Sequence, residues 1–258
     1  MTSVESGVVE EVLHAGDVPL WRHSDWRERF PWLVQGVTGA GDAAEPFDLG
    51  LFGGEPVGRV LDRWERLRAA TGMRRVVHAR QVHGAELRAH GVGEEQGILI
   101  GTGYDGHLTR AAGLLLTVSI ADCVPVFLVD DVARAVAVVH AGWRGVAAGI
   151  VERAIERLRV WRGDGAGELW LHCGPAICGR CYEVGPEVHA GVRPEEEPPP
   201  GPAPIDLRAE ILRRAMARDV AAERSTVSAH CTKCGPGKFF SHRGGSPARQ
   251  MAILGMRG

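Results

Sequence analysis

The clearest structural signal in the chain is the stretch LLLTVSIADCVPVFLVDD, which runs from Leu114 to Asp131. It contains two apolar runs, each with the length and composition typical of a buried strand. The residues from Ala121 to Cys123 separate these runs, and Pro125 lacks the N–H group that a central strand would donate. The pattern predicts two buried strands joined by a short break that carries an acid and a thiol.

Strand and helix patterns alternate irregularly on both sides of this stretch. Apolar residues at helical spacing predict a helix over Val57–Thr71, one after His140 with an apolar face from Val146 to Leu158, and one that Asp206 caps. The irregular order favours layered sheets with helices outside them over a regular βαβ series, so we predict an α+β fold. Further strand patterns cover Trp32–Thr38, Arg74–Gly84, Arg134–His140, Leu169–Gly174 and Ser225–His230.

Length and composition describe an ordinary globular chain. The 258 residues suit one large domain, and we expect residues 1–258 to form a single one. Residues 194–204, PEEEPPPGPAP, have a composition that predicts an exposed loop. The net charge of −2 argues against broad nucleic-acid binding, and no apolar run is long enough to span a membrane. The first residues do not resemble a signal peptide, so we expect a cytoplasmic protein, a monomer or weak homo-oligomer, with reduced cysteines.

Three residues that commonly bind metals stand at the ends of predicted strands. Glycine or proline closely follows each of His83, Cys123 and His140, so the chain must turn there. Because strand ends meet at an edge of a sheet, we expect these side chains to lie close together. Two imidazoles and a thiolate match a catalytic zinc site with an open position, and copper also binds such ligands. The alternative is that they are ordinary residues at the edge of the core.

The segment VVHAGWRG, Val138–Gly145, places an arginine directly after one of these histidines. Arg144 falls at or just before the first turn of a predicted helix, where free N–H groups and a guanidinium favour an anion such as phosphate. An ordinary surface arginine is the alternative. We also predict that Arg243 and Gln81 contact a substrate.

The remaining motif consists of two Cys-x-x-Cys pairs, CGRC at Cys178–Cys181 and CTKC at Cys231–Cys234. Such pairs are typical of a structural zinc site, but the gap between them far exceeds the about 15–20 residues usual in a zinc ribbon. We therefore expect these cysteines to pack beside the main site, with a structural zinc site formed by all four as the alternative.

Several motifs occur in order over most of the chain: RQVHG, YDGHLT, TVSIADCVPVFLVD, AVVHAGWRG, GPAICGRCYEVGPEV, APIDL and HCTKC with FFSHRGGSPARQ. Together they resemble the laccase-domain family. This family is also called the multicopper polyphenol oxidase or purine nucleoside phosphorylase family, and it includes the peptidoglycan editing factor. The chain contains no His-x-His pair, which a multicopper oxidase needs for its copper cluster, so we disfavour copper polyphenol oxidase activity.

The resemblance implies a layered α–β–β–α sandwich with mixed sheets and one zinc ion bound by His83, Cys123 and His140. It also implies phosphorolysis of purine nucleosides, including methylthioadenosine, and deamination of adenosine. In that chemistry Asp122 is a candidate proton shuttle or a residue that orients a ligand, and Arg144 and Arg243 are candidate phosphate contacts. Two alternatives remain open: a metal-free amidase with Cys123 as nucleophile, acting on peptidoglycan precursors, and a binding module without catalysis.

Overall fold

The computed structural model describes residues 7–14, 16–91, 93, 96–163 and 169–258. Over these residues the chain mixes helices and strands in the irregular order that the sequence predicts. The helices are α1 (Trp26–Arg29), α2 (Val57–Thr71), α3 (Trp143–Ala147), α4 (Ile150–Arg162), α5 (Pro186–Val192) and α6 (Leu207–Met216), with 3-10 turns at Gly179–Cys181 and Ala222–Arg224. The strands are β1 (Gly7–Val9), β2 (Val12–His14), β3 (Leu20–Arg22), β4 (Leu33–Thr38), β5 (Arg75–Arg80), β6 (Leu87–His90), β7 (Gly97–Thr102), β8 (Gly106–Thr109), β9 (Leu114–Ile120), β10 (Val124–Asp130), β11 (Ala135–Ala141), β12 (Leu169–Cys173), β13 (Glu183–Val184), β14 (Ala203–Pro204), β15 (Ser225–Ser228) and β16 (Gln250–Met256).

The described strands form two large mixed sheets and a short ribbon of β13 with β14. Sheet one has the order β1-β15-β12-β10-β11-β8-β6, and sheet two has the order β2-β3-β4-β16-β9-β5-β7. In sheet one β10 pairs antiparallel with β11, whereas β12 pairs parallel with β15. In sheet two β9 pairs antiparallel with β16 and parallel with β5.

Alternating side chains of the central strands pack in opposite directions, which creates the layers. On β10, Val126 and Leu128 pack in a core with residues of α4 and α6, whereas Phe127 and Val129 pack in a second core with residues of sheet two. A strand whose two faces are both covered carries a continuous apolar run instead of alternating polarity, as β10 does. The arrangement confirms the α+β fold and the α–β–β–α order of layers.

The outer helix α2 covers the far face of sheet two, at the bounds that its sequence predicts. Val60, Trp64 and Leu67 are buried there with residues of β9 and β16, and the Trp64 indole N–H donates to the carbonyl of Leu49 at 3.0 Å. Burial of side chains of this size stabilises the fold by about 1.5–3 kcal/mol each. Leu61, which helical spacing also assigns to the apolar face, is 40% exposed because it lies about 100° around the helix from Val60.

The helical segment after His140 differs from the continuous helix that the sequence predicts. It consists of α3 and α4, separated by Gly149, which adopts a left-handed conformation with φ of +77°. Only glycine adopts this conformation at little cost, and the break reorients the chain. Val146 and Ile150 are nevertheless buried together with the rest of the predicted apolar face.

The proline-rich segment is an exposed loop over most of its length, with a correction at its end. Glu195, Glu196 and Glu197 are exposed, but Ala203 and Pro204 form strand β14 against β13. Proline is tolerated there because the ribbon is an edge with few ladder hydrogen bonds. No helix in the described part of the chain is long and apolar enough to cross a membrane.

The chain passes between the two sheets at one end of the sandwich. β5 of sheet two is followed by β6 of sheet one, and β9 of sheet two is followed by β10 of sheet one. His83 lies in the first passage, Cys123 ends the second, and His140 lies near the end of β11 beside β10. This topology brings together residues that are far apart in sequence.

Candidate metal centre

His83, Cys123 and His140 meet where the chain passes between the sheets. Each offers one ligand atom, and these atoms lie within 4.8 Å of one another. The two imidazole rings are almost perpendicular, at 83°, with their centroids 4.8 Å apart. His140 is buried, Cys123 is half-buried and His83 is exposed, so the group is open to solvent on the His83 side.

A buried carboxylate, Asp105, holds two of these residues in place. Its Oδ1 accepts hydrogen bonds from His140 Nδ1 and from the His83 N–H, both at 2.9 Å. Its Oδ2 accepts from the N–H groups of Val82 at 3.0 Å and Gly84 at 2.9 Å. The bond to Nδ1 directs His140 Nε2 toward the ligand group, which is the usual way in which a carboxylate fixes a metal-binding histidine.

Unusual backbone conformations accompany this arrangement. His83 has a φ of +59° and Asp122 a φ of +89°, values that are uncommon outside glycine and that concentrate at functional sites. In this conformation the successive N–H groups from Val82 to Gly84 point at one carboxylate. At Gly142 a Cβ atom would lie 3.1 Å from Cys123 Sγ and 3.2 Å from a ring carbon of His83, so glycine leaves the ligand atoms their space.

The electrostatics of the group favour a thiolate. Burial raises the pKa of Cys123. The nearby imidazoles of His140 and His83 lower it by a larger amount, so the pKa falls to about 6. Burial lowers the pKa of His140, while Cys123 and the Asp105 carboxylate raise it to about 9. A thiolate is the form of cysteine that binds metals and that acts as a nucleophile.

The residues present fit a divalent transition metal. The donor set is two imidazoles and one thiolate, the type that catalytic zinc sites use, with one position left for water or substrate. Asp105 supplies the outer hydrogen bond to His140, and Gly142 keeps the centre uncrowded. We name His83, Cys123 and His140 together the His–Cys–His centre.

A cavity of about 430 Å³ lies against this centre. Such a volume is within the range of pockets that hold small molecules. Phe52, with 61% of its surface exposed, contributes an aromatic face. Besides the three residues of the His–Cys–His centre, the charged or polar residues that line the cavity are His78, Arg80, Gln81, Ser119, Asp122, His242, Arg243 and Arg249.

Asp122 lines the cavity, and each oxygen of its carboxylate accepts a hydrogen bond from the surrounding protein. Oδ1 accepts a hydrogen bond from the Thr232 hydroxyl at 2.6 Å, and Oδ2 accepts from the Arg243 N–H at 2.7 Å. Its backbone carbonyl also accepts from the Ile177 N–H at 3.0 Å. These contacts favour the role of orienting the neighbouring Cys123 over that of a proton shuttle.

Gln81 also lines the cavity, and its amide is bound to the backbone. Its Nε2 donates to the Ser119 carbonyl at 2.9 Å, and its Oε1 accepts from the Ser119 N–H at 2.6 Å. The side chain thereby continues the pairing of β5 with β9 beyond the end of β5. The geometry gives Gln81 a part in positioning the loop that leads to His83, whereas direct contact with a substrate stays a prediction.

The two predicted anion-binding arginines differ in their position. Arg243 lines the cavity, packs 5.1 Å from the ring centre of Tyr182 and donates to the Glu183 carbonyl at 2.9 Å. Arg144 is the second residue of α3, is exposed, and packs 4.3 Å from the ring centre of Trp143. Arg144 is not among the described residues that line the cavity, and its contact with a substrate stays a prediction.

Sequence reasoning assigned no role to Asp105, Gly142 or Thr232, although each contacts the centre or its neighbour. Asp105 lies in the YDGHLT motif at the start of β8, a motif that carried the family resemblance. Its position immediately before a buried strand is the signal that could have suggested a role.

Ligand-type side chains also come together at Cys178, Cys181, Cys231 and Cys234.

Residues 36–257 match the sequence profile of a family described as multi-copper polyphenol oxidoreductase laccase. The chain belongs to this laccase family. The match confirms the family that the motifs suggested, and it includes all three residues of the His–Cys–His centre.

Relatives in the laccase family carry names that refer to purine nucleosides. Purine nucleoside phosphorylase YlmD of Geobacillus stearothermophilus is 32% identical over 251 residues, which cover 88% of this chain and 92% of that protein. A purine nucleoside phosphorylase of Mycobacterium bovis is 36% identical over 231 residues, covering 86% and 90%. Adenosine deaminase RL5, from an unknown prokaryotic organism, is 34% identical over 208 residues, covering 74% and 78%.

Solved structures of similar proteins agree with the fold. The crystal structure of YlmD from Geobacillus stearothermophilus superposes with a TM-score of 0.85 and 27% identity, over 96% of this chain and 100% of that one. The Bacillus licheniformis protein YfiH superposes with a TM-score of 0.82 over 92% and 96%, and at 23% identity this likeness concerns the fold alone.

Proposed function

We propose that the chain is a zinc-dependent purine nucleoside phosphorylase that also deaminates adenosine and cleaves methylthioadenosine. The observation that carries this proposal is the meeting of two imidazoles and a thiol within 4.8 Å, against a cavity large enough for a small molecule. The names of the relatives support nucleosides as the substrate class.

In this proposal His83, Cys123 and His140 bind the zinc ion, and Asp105 keeps His140 in the tautomer that can bind it. Zinc supplies a Lewis acid that polarises a bound oxygen and makes water a better nucleophile near neutral pH. Copper binds the same donor types, so the metal found in the purified protein tests this assignment.

The residues of the cavity suggest how a nucleoside and phosphate are held. Arg80 and Arg243 line it and offer guanidinium groups that bind phosphate oxygens through charge-assisted hydrogen bonds. Arg249 also lines it, but its guanidinium donates to the carbonyls of Pro247 and Ala248 and so shapes the wall. The exposed ring of Phe52 provides a surface on which a purine base can stack.

The proposal is tested by incubating the purified protein with adenosine, with and without inorganic phosphate. Phosphorolysis requires phosphate and yields adenine and ribose 1-phosphate, whereas deamination proceeds without phosphate and yields inosine and ammonia. Methylthioadenosine with phosphate tests the third activity. We expect His140→Ala to remove both turnover and the zinc of this centre. Absence of product from every substrate, with zinc bound, would contradict the proposal.

A second candidate, a cysteine-type amidase acting on peptidoglycan precursors, has one specific observation in its favour. Cys123 lies beside His140, and Asp105 binds the far nitrogen of the same imidazole, which is the order of a Cys–His–Asp nucleophilic group. Chelation distinguishes the candidates, because a cysteine nucleophile works without metal. Amide hydrolysis that survives chelation, with no nucleoside turnover, would favour this second function.

A further inference from the structure

We propose that Cys178, Cys181, Cys231 and Cys234 bind a second, structural zinc ion. This inference concerns a different part of the molecule from the His–Cys–His centre and does not depend on the proposed reaction. We name these residues the four-cysteine cluster. The sequence favours simple packing for them, because the two pairs are far apart along the chain.

The distances between the sulfur atoms suit a single tetrahedral ion. All four Sγ atoms lie within 4.8 Å of one another, and those of Cys178 and Cys234 are 4.0 Å apart. A zinc ion with Zn–S bonds of about 2.3 Å requires sulfur atoms about 3.8 Å apart at the corners of a tetrahedron. An iron–sulfur cluster would separate the cysteines further, because its irons and sulfides lie between them.

Backbone N–H groups point at a sulfur atom of the cluster, as they do around metal-bound thiolates. The N–H groups of Cys178, at 3.3 Å, and of Cys234, at 3.5 Å, donate to the sulfur of Cys231. Such N–H groups stabilise the negative charge that four thiolates and one Zn²⁺ leave, and they orient the ligands. The chain turns tightly at both pairs: Cys181 N–H donates to the Cys178 carbonyl at 2.9 Å, and Gly235 N–H donates to the Cys231 carbonyl at 3.1 Å.

Charge and exposure are consistent with a metal site near the surface. The residues inside the two pairs include Arg180 and Lys233, and both are exposed. Cationic side chains at these positions offset part of the negative charge of a tetrathiolate centre. A set of four protein ligands leaves no open position, so the site is structural by the usual distinction from catalytic zinc.

The four-cysteine cluster joins two segments that hold Asp122. Ile177, one residue before the first pair, donates its N–H to the Asp122 carbonyl, and Thr232, inside the second pair, donates its hydroxyl to Oδ1. The segments also pair directly, since Thr232 N–H donates to the Ala176 carbonyl at 3.1 Å. A zinc ion would therefore fix the wall beside Cys123 by cross-linking residues 53 positions apart in the chain.

Metal analysis of protein purified without added metal tests this inference. We expect a Cys181→Ser, Cys234→Ser double variant to contain one zinc ion per chain fewer than the unaltered protein. Cys173→Ala is the control, because Cys173 is a buried free cysteine outside the cluster, and it should keep the zinc content of the unaltered protein.

A second measurement does not require the cysteine variant to fold. A His83→Ala, His140→Ala variant should retain one zinc ion, and X-ray absorption should then show four sulfur neighbours at about 2.3 Å. Equal zinc contents in the unaltered protein and a folded Cys181→Ser, Cys234→Ser variant, no zinc in the His83→Ala, His140→Ala variant, iron in place of zinc, or a disulfide found by mass spectrometry without reductant would each overturn the inference. None of these results bears on nucleoside turnover, so the two proposals fail separately.

Discussion

Replacement of Asp105 by asparagine should weaken the His–Cys–His centre while preserving the shape of the side chain. Each carboxylate oxygen accepts two hydrogen bonds: Oδ1 from His140 and the His83 N–H, and Oδ2 from the N–H groups of Val82 and Gly84. An asparagine amide has one oxygen and one NH2 group. Whichever way it turns, two of the four donors face another donor.

The magnitude follows from these contacts. A buried donor that loses its acceptor costs about 1–3 kcal/mol, so the two donors together cost about 2–6 kcal/mol. If the amide nitrogen faces His140, the imidazole loses the tautomer that presents Nε2 to a metal. Loss of such an outer partner typically lowers metal affinity about 10–100-fold, or about 1.4–2.7 kcal/mol, which overlaps the lower end of this range.

Two measurements separate the effects of Asp105→Asn. Nucleoside turnover at buffered zinc concentrations gives the zinc needed for half-maximal activity, which should rise at least tenfold, and urea unfolding gives the loss of stability. Asp131→Asn, at an exposed position, is the control and should change neither value. An Asp105→Asn protein with a zinc requirement within twofold of normal and an unchanged unfolding midpoint would show that the carboxylate does not support the centre.

Three further predictions concern other residues. Gly142→Ala should lower the free energy of unfolding by about 1–3 kcal/mol and displace zinc, because the new methyl group lies 3.1 Å from the sulfur of Cys123. The control Gly58→Ala, whose methyl group lies in open space, should have neither effect. Burial lowers the pKa of His78 from 6.5 to about 4 in the folded chain. As pH falls, this imidazole is therefore protonated in the unfolded chain at a higher pH than in the folded chain. Stability should therefore decrease by about 2 kcal/mol between pH 7 and pH 5, and His78→Gln should remove this part of the slope in urea unfolding. Arg243→Ala should raise KM for phosphate about 10–100-fold with little change in stability, since its exposed guanidinium lines the cavity; an unaltered KM would exclude it from phosphate binding.

The strands, and the presence of His83, Cys123 and His140 at their ends, were predictable because their signals are local. The apolar runs on either side of Ala121–Cys123 correspond to β9 and β10, and the helical spacing over Val57–Thr71 corresponds to α2. The break between α3 and α4 was missed because the apolar periodicity continues through Gly149, and glycine alone does not distinguish a bend from a tolerated helical residue.

The assignment of roles around the centre was less predictable. Arg144 follows His140 closely in sequence, yet its side chain packs on Trp143 and is not among the described residues that line the cavity. Phe239, in the motif that begins FFSHR, is buried between the sheets. Direction of a side chain depends on the packing of its element, which neighbouring residues in the sequence do not specify.

Local residue order was sufficient to identify the apolar strands, the turns that follow them and the presence of His83, Cys123 and His140 at those turns, because strand periodicity and glycine or proline breaks are properties of short segments. Tertiary structure alone revealed that β9 and β10 belong to different sheets, and that Asp105 binds His140. It also brought together the four-cysteine cluster across 53 residues. These features depend on which distant segments pack against each other, and the packing of the whole buried core determines this.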